Sequence, residues 1–259
     1  MTTTVLKATD IGVRFGGIKA VAGVDLEVGA GQLVGLIGPN GAGKTTLVDA
    51  ITGFLPCTGR VDLAGRDVTH LEPHARARLG LARTWQSVEL FDDLSVRENL
   101  AVAAGRPSIG RTLRELLRNG DHTAPTVDDT LALVGVSDLG DAMPRELSAG
   151  QRTLVGVARA LAGSPKIVCL DEPAAGLDTT ESQLLGRQLR RIVDAGMPML
   201  LIDHDMGFVF GSCDRVVVLD AGSVLSSGPP EVVRTDPRVI SAYLGGADTG
   251  SATDPQRST

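Results

Sequence analysis

Short runs of apolar residues alternate with longer segments of helical periodicity along most of this chain. The short runs predict strands at residues 5–8, 24–28, 33–37, 61–63, 81–85, 167–170, 199–202, 215–219 and 224–226. Such alternation is typical of an α/β protein in which helices cover a mostly parallel sheet. Since only turns, such as residues 28–31, separate the first runs, we also expect an N-terminal antiparallel β subdomain beside that sheet.

Residues 87–147 differ from the rest because they contain no convincing strand pattern. Ser95, with Glu98 three residues later, forms a capping box and predicts that a helix begins there. Residues 111–118 and Val127–Val134 also have helical periodicity. These features predict an α-helical subdomain inserted at about residues 87–147.

The composition bounds the size and the partners of the predicted domain. Of 259 residues, 42% are apolar but only 3% are aromatic, which predicts one large domain with an aliphatic core. We expect that domain over residues 1–246 and a disordered tail over residues 247–259, where small and polar residues dominate. A net charge of -6 argues against nucleic acid as a partner.

Cysteine usage and hydropathy indicate the cellular setting. Cys57, Cys169 and Cys213 are far apart and lack metal-ligand spacing, so we expect free thiols in a reducing compartment. The first residues lack the basic and apolar segments of a signal peptide, and no apolar run approaches the ~18 residues of a membrane span. Any association with a membrane is therefore expected to depend on a partner.

The strongest candidate site follows the apolar run at residues 33–37, where the sequence matches G-x-x-x-x-G-K-[ST]. Glycines let successive N–H groups turn towards one anion, and the helix expected at Lys44–Thr52 offers its N-terminus to phosphates. Lys44 supplies a charge for the β- and γ-phosphates, and Thr45 a hydroxyl for Mg²⁺. The nucleotide would be bound by Gly38, Pro39, Asn40, Gly41, Ala42, Gly43, Lys44, Thr45 and Thr46. The alternative is a chance glycine-rich turn.

A carboxylate for Mg²⁺ is available at Asp171, at the end of the buried strand predicted over residues 167–170. Parallel sheets place ligands at the carboxyl ends of their strands, so we expect Asp171 to hold the metal through water. Glu172 follows directly and can face a water molecule opposite the γ-phosphate. The alternative is a strand that merely ends in a polar turn.

A second candidate anion site occurs at residues 147–151, Leu-Ser-Ala-Gly-Gln, before a helix predicted over residues 152–162. Ser148 is a good N-cap, and the small residues after it leave backbone N–H groups exposed. Taken alone, this segment is better explained as an ordinary capped helix.

In their order along the chain, these motifs resemble those of the ATP-binding-cassette (ABC) ATPases. The order is the phosphate loop, Gln86 after a strand, a helical insert, an LSxGQ signature, Asp171 with Glu172, Asp178 after Ala-Gly-Leu, and His204 after a strand. Ala149 departs from the commoner LSGGQ, a mild change because Ser148 and Gly150 are retained. The resemblance covers about residues 5–246 and implies a P-loop NTPase (RecA-like) fold that uses ATP and Mg²⁺.

The resemblance also implies roles for individual residues. The implied catalytic residues are Lys44, Gln86, Glu172 and His204, and the implied metal ligands are Thr45, Gln86 and Asp171. Glu172 would be the general base or the group that polarises water, and His204 would bond the γ-phosphate. Gln86 would reach Mg²⁺ and the attacking water. Phe15 would stack on adenine, although a core phenylalanine is a serious alternative.

Signature residues act across a dimer in this family. Ser148 and Gly150, with Gln151 also in the nucleotide site, would close over ATP that is held by Lys44 of a second ATPase subunit, identical or different. Asp178, also in the nucleotide site, matches the loop that touches the opposite subunit. Two ATP molecules would then join a head-to-tail pair, and hydrolysis would release it.

Further segments resemble the ATPase subunits of branched-chain (hydrophobic) amino-acid importers, namely residues 14–21, 78–86, 172–178 and 236–244. That resemblance implies an ATP-hydrolysing subunit at the cytoplasmic face of the plasma (inner) membrane. It would be attached through transmembrane permease subunits and served indirectly by a periplasmic or extracellular solute-binding protein. Residues 88–99 would line the groove where a permease helix docks. ATPases of urea or amide importers and of lipopolysaccharide export share much of the pattern.

Two other functions are less favoured. Soluble ABC proteins that act on nucleic acid or ribosomes usually carry two cassettes or a long coiled coil, whereas this chain has one phosphate loop, no sustained heptads and a negative charge. An inactive cassette kept as a scaffold is disfavoured because every catalytic residue type is present.

Overall fold

A computed structural model of the chain describes residues 3–85, 89–105 and 126–244. The strands are β1 (Thr4–Phe15), β2 (Ile18–Gly29), β3 (Leu33–Ile37), β4 (Thr58–Leu63), β5 (Arg66–Asp67), β6 (Leu81–Arg83), β7 (Ile167–Asp171), β8 (Met199–Ile202), β9 (Arg215–Asp220) and β10 (Ser223–Gly228). The α-helices are α1 (Lys44–Thr52), α2 (Pro73–Arg78), α3 (Val96–Ala104), α4 (Val127–Val134), α5 (Ala149–Ala162), α6 (Thr179–Asp194), α7 (Met206–Ser212), α8 (Pro230–Val233) and α9 (Pro237–Leu244).

The larger sheet has the strand order β10-β9-β3-β8-β7-β6. Its neighbouring pairs from β9 to β6 are parallel, and β10 is added antiparallel to β9 at one edge. Every residue of β3 and of β8 is buried, as expected for strands covered on both faces. The mostly parallel sheet predicted from the sequence is confirmed. Because β3, β8 and β7 are neighbours, the loops that follow them emerge side by side.

The smaller sheet is antiparallel, in the order β2-β1-β4-β5, and confirms the predicted N-terminal β subdomain. Its first two strands are 12 residues each, much longer than the predicted residues 5–8 and 24–28. The prediction was too short because contiguous apolar residues mark only part of each strand. Elsewhere buried and exposed positions alternate, interrupted by shifts of register.

Other boundaries were also wrong. The strand predicted at residues 81–85 ends at Arg83, and the exposed β5 was not predicted because it is only two residues long and polar. Helix α5 begins at Ala149 rather than at residue 152, because Ser148 caps it directly.

Two aliphatic clusters enclose the parallel sheet. Leu33 and Ile37 of β3 belong to the cluster under α3 to α7, whereas Val34 and Leu36 belong to the cluster shared with α1 and the antiparallel sheet. This alternation follows from the two-residue period of a strand. The only ring among these buried cluster members is that of Phe208, which agrees with the low aromatic content.

The described parts of residues 87–147 contain helices and turns but no strand. Helices α3 and α4 both pack on α5, and two short 3₁₀ turns follow, at Ser137–Leu139 and Pro144–Glu146. The predicted capping box is present at the start of α3, where the Ser95 hydroxyl accepts from the Glu98 N–H. The helix predicted at residues 111–118 and the tail predicted at 247–259 lie outside the described residues. Within the described ranges, the helices are too short or too polar to cross a membrane.

Candidate functional site

The phosphate loop connects the carboxyl end of β3 to α1, and its glycines pack closely against neighbouring backbone. A Cβ at Gly38 would lie 2.2 Å from the Leu219 carbonyl oxygen, and one at Gly43 would lie 2.4 Å from that of Ala20. Gly43 also has φ +100°, a conformation that side chains rarely adopt. These positions therefore require glycine for the loop to approach β9 and β2.

Helix α1 begins without a side-chain cap. Its N-cap is Gly43, whereas α3, α4, α5, α6 and α7 are all capped by a Ser, Thr or Asp oxygen. The N–H groups of its first turn are thus left for another acceptor, and the helix dipole favours an anion there. Thr45 is exposed in this turn and Thr46 is half-buried.

Lys44 bonds to its own loop. The residue is 8% exposed, and its ammonium donates to the carbonyl oxygens of Gly38, at 2.7 Å, and Pro39, at 3.1 Å. Burial lowers the pKa of Lys44, and the negative charge of Glu172 acts in the opposite direction. Glu172 is therefore close enough to influence the phosphate loop electrostatically.

Asp171 ends β7 and is held by Arg83, a residue that the sequence prediction missed. The Arg83 guanidinium donates to Asp171 Oδ2 at 2.7 Å and to Asp49 Oδ1, on α1, at 2.5 Å. The partners are 88 and 34 residues away in sequence, so no local signal points to this contact. The candidate metal carboxylate is thereby linked to the helix of the phosphate loop.

Glu172 and His204 meet beside Asp171. Glu172 has φ +46°, an unusual value for a residue with a side chain, and its N–H donates to the Ile202 carbonyl at 2.7 Å. Oε2 of Glu172 lies 3.8 Å from His204 Nδ1. Strain of this kind concentrates at functional sites and persists only where the surroundings enforce it.

Asp203 holds together the loops that carry Glu172 and His204, and it was not predicted from the sequence. Its side chain is fully buried and accepts N–H groups from Ala174, at 3.1 Å, His204, at 2.8 Å, and Asp205, at 3.0 Å. A signal was available, because a polar residue directly after a buried strand needs partners. The imidazole of His204 itself is exposed.

Signature residues form a second group around Glu181. Ser148 and Gln151 form a capping box at the start of α5. The Ser148 hydroxyl also donates to Glu181 Oε1 at 3.0 Å, and the Gly150 N–H donates to the same oxygen at 3.3 Å. Asp178 caps α6 by accepting the Glu181 N–H at 2.8 Å. Glu181 thus contacts Ser148, Gly150 and Asp178, and sequence reasoning missed it.

Phe15 lies outside both buried clusters. It ends β1, opposite Ile18 of β2, and 52% of it is exposed, so the core alternative is wrong. Its ring is accessible at the end of the hairpin that β1 forms with β2. Gln86 lies outside the described residues.

An open groove of about 780 Å³ lies between the end of β6 and helices α3 and α5. Trp85, Phe91 and Val102 expose apolar surface there, and Arg159 adds a charge. Glu89, Leu90, Phe91 and Asn99, from the segment predicted to line a docking groove, are among its walls.

Comparisons with known proteins agree with this geometry. The family model described as ABC transporter matches residues 21–175, more than half of the chain. This chain belongs to the ABC transporter family. A second model, described as branched-chain amino acid ATP-binding cassette transporter, matches residues 223–249 of this ABC protein.

Similar proteins cover the chain almost completely. The high-affinity branched-chain amino acid transport ATP-binding protein BraF of Pseudomonas aeruginosa is 37% identical, over 95% of this chain and 100% of its own. LivG of Escherichia coli, with the same description, is 36% identical over the same shares. The lipopolysaccharide export system ATP-binding protein LptB of Escherichia coli is 34% identical, over 93% of this chain and 97% of its own.

Solved structures confirm the P-loop NTPase fold of this family. An ATP-binding cassette of an ABC transporter in its ADP conformation has a TM-score of 0.79 and 31% identity, over 94% of this chain and 100% of its own. A nucleotide-free cassette has a TM-score of 0.78 and 30% identity, over 93% of this chain and 98% of its own.

Proposed function

We propose that this ABC protein is the ATP-hydrolysing subunit of an importer for branched-chain or other hydrophobic amino acids. The observation that carries the substrate class is the match of residues 223–249 to the branched-chain model, in a chain aligned end to end with BraF and LivG. Two other transport functions are alternatives to amino-acid import. Similarity to LptB supports lipopolysaccharide export, and the second alternative is import of urea or an amide.

The phosphate loop and Phe15 bind ATP. The phosphates lie against the N–H groups of α1 and Lys44 exchanges the carbonyls of Gly38 and Pro39 for phosphate oxygens. The adenine stacks on the exposed Phe15 ring. The full phosphate-binding set is Gly38, Pro39, Asn40, Gly41, Ala42, Gly43, Lys44, Thr45 and Thr46.

The donor set fits Mg²⁺. Within the described ranges no three His, Cys, Asp or Glu side chains cluster as a metal cage, and Mg²⁺ is usually bound by one or two carboxylates together with substrate phosphates. Asp171, Thr45 and Gln86 would hold the ion, which neutralises charge on the β- and γ-phosphates.

Hydrolysis needs a general base for the attacking water and a hydrogen-bond donor to the γ-phosphate. Glu172 accepts a proton from the attacking water or polarises it, and His204 donates a hydrogen bond to the γ-phosphate. Gln86 orients the same water. Their proximity to each other, and the effect of Glu172 on Lys44, support these roles.

Catalysis requires a second ATPase subunit. Ser148, Gly150, Gln151 and Asp178 close over ATP that is held by the other subunit, and Glu181 must then release Ser148. The chain divides into the ATPase domain, residues 1–246, with the helical subdomain inserted at about 87–147, and the tail 247–259.

The remaining partners are membrane proteins. A helix of a transmembrane permease subunit occupies the groove lined by Trp85 and Phe91, which holds this chain at the cytoplasmic face of the plasma (inner) membrane. A solute-binding protein delivers the amino acid to the permease and acts on this chain only indirectly. Nucleic acid is not a partner.

Substitution of Glu172 tests the proposed chemistry. Glu172→Gln should bind ATP, form a stable dimer and hydrolyse ATP at least about a hundredfold more slowly, because general-base catalysis contributes about 10²–10⁴-fold. Size-exclusion chromatography with ATP and a phosphate-release assay measure both effects. A Glu172→Gln protein that stays monomeric with ATP and hydrolyses normally would contradict the role. Co-purification with its permease, followed by ATPase assays with leucine or urea, identifies the solute class.

A further inference from the structure

The guanidinium of Arg83 joins two carboxylates that lie far apart in sequence. Nη2 donates to Asp171 Oδ2 at 2.7 Å and Nη1 donates to Asp49 Oδ1 at 2.5 Å. Only 6% of the Arg83 side chain is exposed, so solvent screens these pairs weakly. Asp49 lies on α1, the helix that begins at Lys44. One side chain therefore connects the phosphate-binding helix to the candidate metal carboxylate.

Two aromatic rings cover the same guanidinium. Arg83 Cζ lies 4.5 Å from the ring centroid of Trp85 and 5.8 Å from that of Phe54, and the two rings meet edge to face at 5.1 Å. Cation–π contacts of this kind hold the plane of an arginine. Trp85 is 53% exposed and lines the groove of about 780 Å³. The wall of the groove is thus one contact away from Asp171 through Arg83.

The hydrogen bonds made by the described residues use one of the two oxygens of Asp171. Among the described residues, Oδ2 is bonded by Arg83 and Oδ1 accepts no hydrogen bond. Two carboxylates around one guanidinium also leave an excess of one negative charge, which suits a divalent cation. Lysine could not replace Arg83 in this arrangement, because a single ammonium lacks the planar fork that reaches both carboxylates.

We propose that Arg83 is a positioning residue that orients the Asp171 carboxylate for Mg²⁺ and connects it to the groove through Trp85. This inference rests on the ATPase function proposed above. Arg83 acts through Asp171 and does not itself contact the nucleotide. The positive charge of Arg83 weakens the binding of Mg²⁺, whereas its planar guanidinium fixes the orientation of the Asp171 carboxylate. Different substitutions should therefore change the affinity for the metal and the orientation of its ligand. A partner that moves Trp85 would act on Asp171 through this one side chain.

Two substitutions separate orientation from charge. Arg83→Lys keeps the charge but loses the fork, so we expect kcat to fall by about tenfold or more while KM for ATP changes by less than about twofold. Asp49→Asn leaves Arg83 paired with Asp171 alone and lowers the local negative charge. We expect the dissociation constant of Mn²⁺, bound with a non-hydrolysable ATP analogue and measured by electron paramagnetic resonance, to rise by about threefold to tenfold.

Arg60→Lys is the matched control. Arg60 also contacts two carboxylates, Asp62 and Asp67, but it lies on the antiparallel sheet and 56% of its side chain is exposed. This variant should behave as wild type in both assays.

Either of two results would overturn the role of Arg83. They are a kcat for Arg83→Lys within twofold of wild type, and an Mn²⁺ dissociation constant unchanged in Asp49→Asn. The Asp49→Asn result decides the question if Arg83→Lys fails to fold. Absence of ATP hydrolysis by the wild-type dimer would instead overturn the proposed function.

Discussion

The hydroxyl of Ser148 donates a hydrogen bond to the carboxylate of Glu181, with 3.0 Å between Oγ and Oε1. The same oxygen accepts the N–H of Gly150 at 3.3 Å. In the nucleotide-bridged pair proposed above, the γ-phosphate held by the other subunit would need these two donors and would compete with Glu181. An anionic side chain of the chain itself therefore occupies the N-terminus of α5 before any phosphate arrives.

Removal of that carboxylate should favour dimerisation. We expect Glu181→Ala, made in the Glu172→Gln protein, to dimerise at an ATP concentration about threefold to tenfold lower. A hydrogen bond to a charged group contributes about 1.5–3 kcal/mol. In the wild-type monomer, part of this energy from the bonds to Glu181 must be given up before the dimer forms, and Glu181→Ala removes that cost. Analytical ultracentrifugation over an ATP titration measures the midpoint.

The control for this experiment is Glu146→Ala. The Glu146 carboxylate accepts the Met143 N–H at 2.9 Å in a neighbouring turn, whereas the signature serine bonds to Glu181. It should leave the midpoint unchanged. A higher ATP requirement in Glu181→Ala would show instead that Glu181 holds Ser148 in its competent orientation.

The residues found from sequence are those whose position follows from the local chain. Glycine spacing before Lys44 predicted the phosphate loop, because backbone conformation depends on neighbouring residues. Asp171 was predicted at the edge of the sheet, because an apolar run that ends in a carboxylate defines where a buried strand stops. The N-cap role of Ser148 follows in the same way from the residue after it.

Contacts between distant segments were not accessible from sequence. Arg83 binds residues 34 and 88 positions away, and Glu181 reaches a serine 33 positions away. Charged residues are common on surfaces, so nothing in the pattern separates these two from solvated ones. The pairing of β6 with β7 brings Arg83 to Asp171, and the packing of α5 against α6 brings Glu181 to Ser148.

Lys44 is expected to be essential for nucleotide binding but not for folding. In Lys44→Met, the melting temperature without ATP should stay close to that of wild type, while the increase caused by magnesium ATP should disappear. For wild type that increase reflects about 2.7 kcal/mol at a ligand concentration 100 times Kd. Differential scanning fluorimetry measures both values. Lys7→Met, which removes a half-exposed lysine paired with Glu27, is the control. A persistent ATP-induced increase would contradict the assignment.

The thiols should differ sharply in reactivity. Burial raises the pKa of Cys169 to about 12 and also raises that of the buried Cys213, so both remain protonated at pH 8. Burial also raises the pKa of Cys57, but this thiol is only half-buried and the reagent can reach it. Because the thiolate is the reactive form, Ellman's reagent should label Cys57 in the native protein and the other two only after unfolding in guanidinium. Rapid labelling of Cys169 without denaturant would mean that the parallel sheet opens readily.

Two glycines of the phosphate loop should tolerate alanine differently. Both have positive φ, +80° at Gly41 and +100° at Gly43, so each alanine costs about 1–2 kcal/mol in backbone strain. A Cβ at Gly41 meets nothing within 4 Å, whereas one at Gly43 lies 2.4 Å from the Ala20 carbonyl oxygen. We therefore expect Gly43→Ala to lower the free energy of unfolding by about 3 kcal/mol or more, and Gly41→Ala by about half as much. Urea denaturation measures both, and equal losses would show that the loop moves away from β2 without penalty.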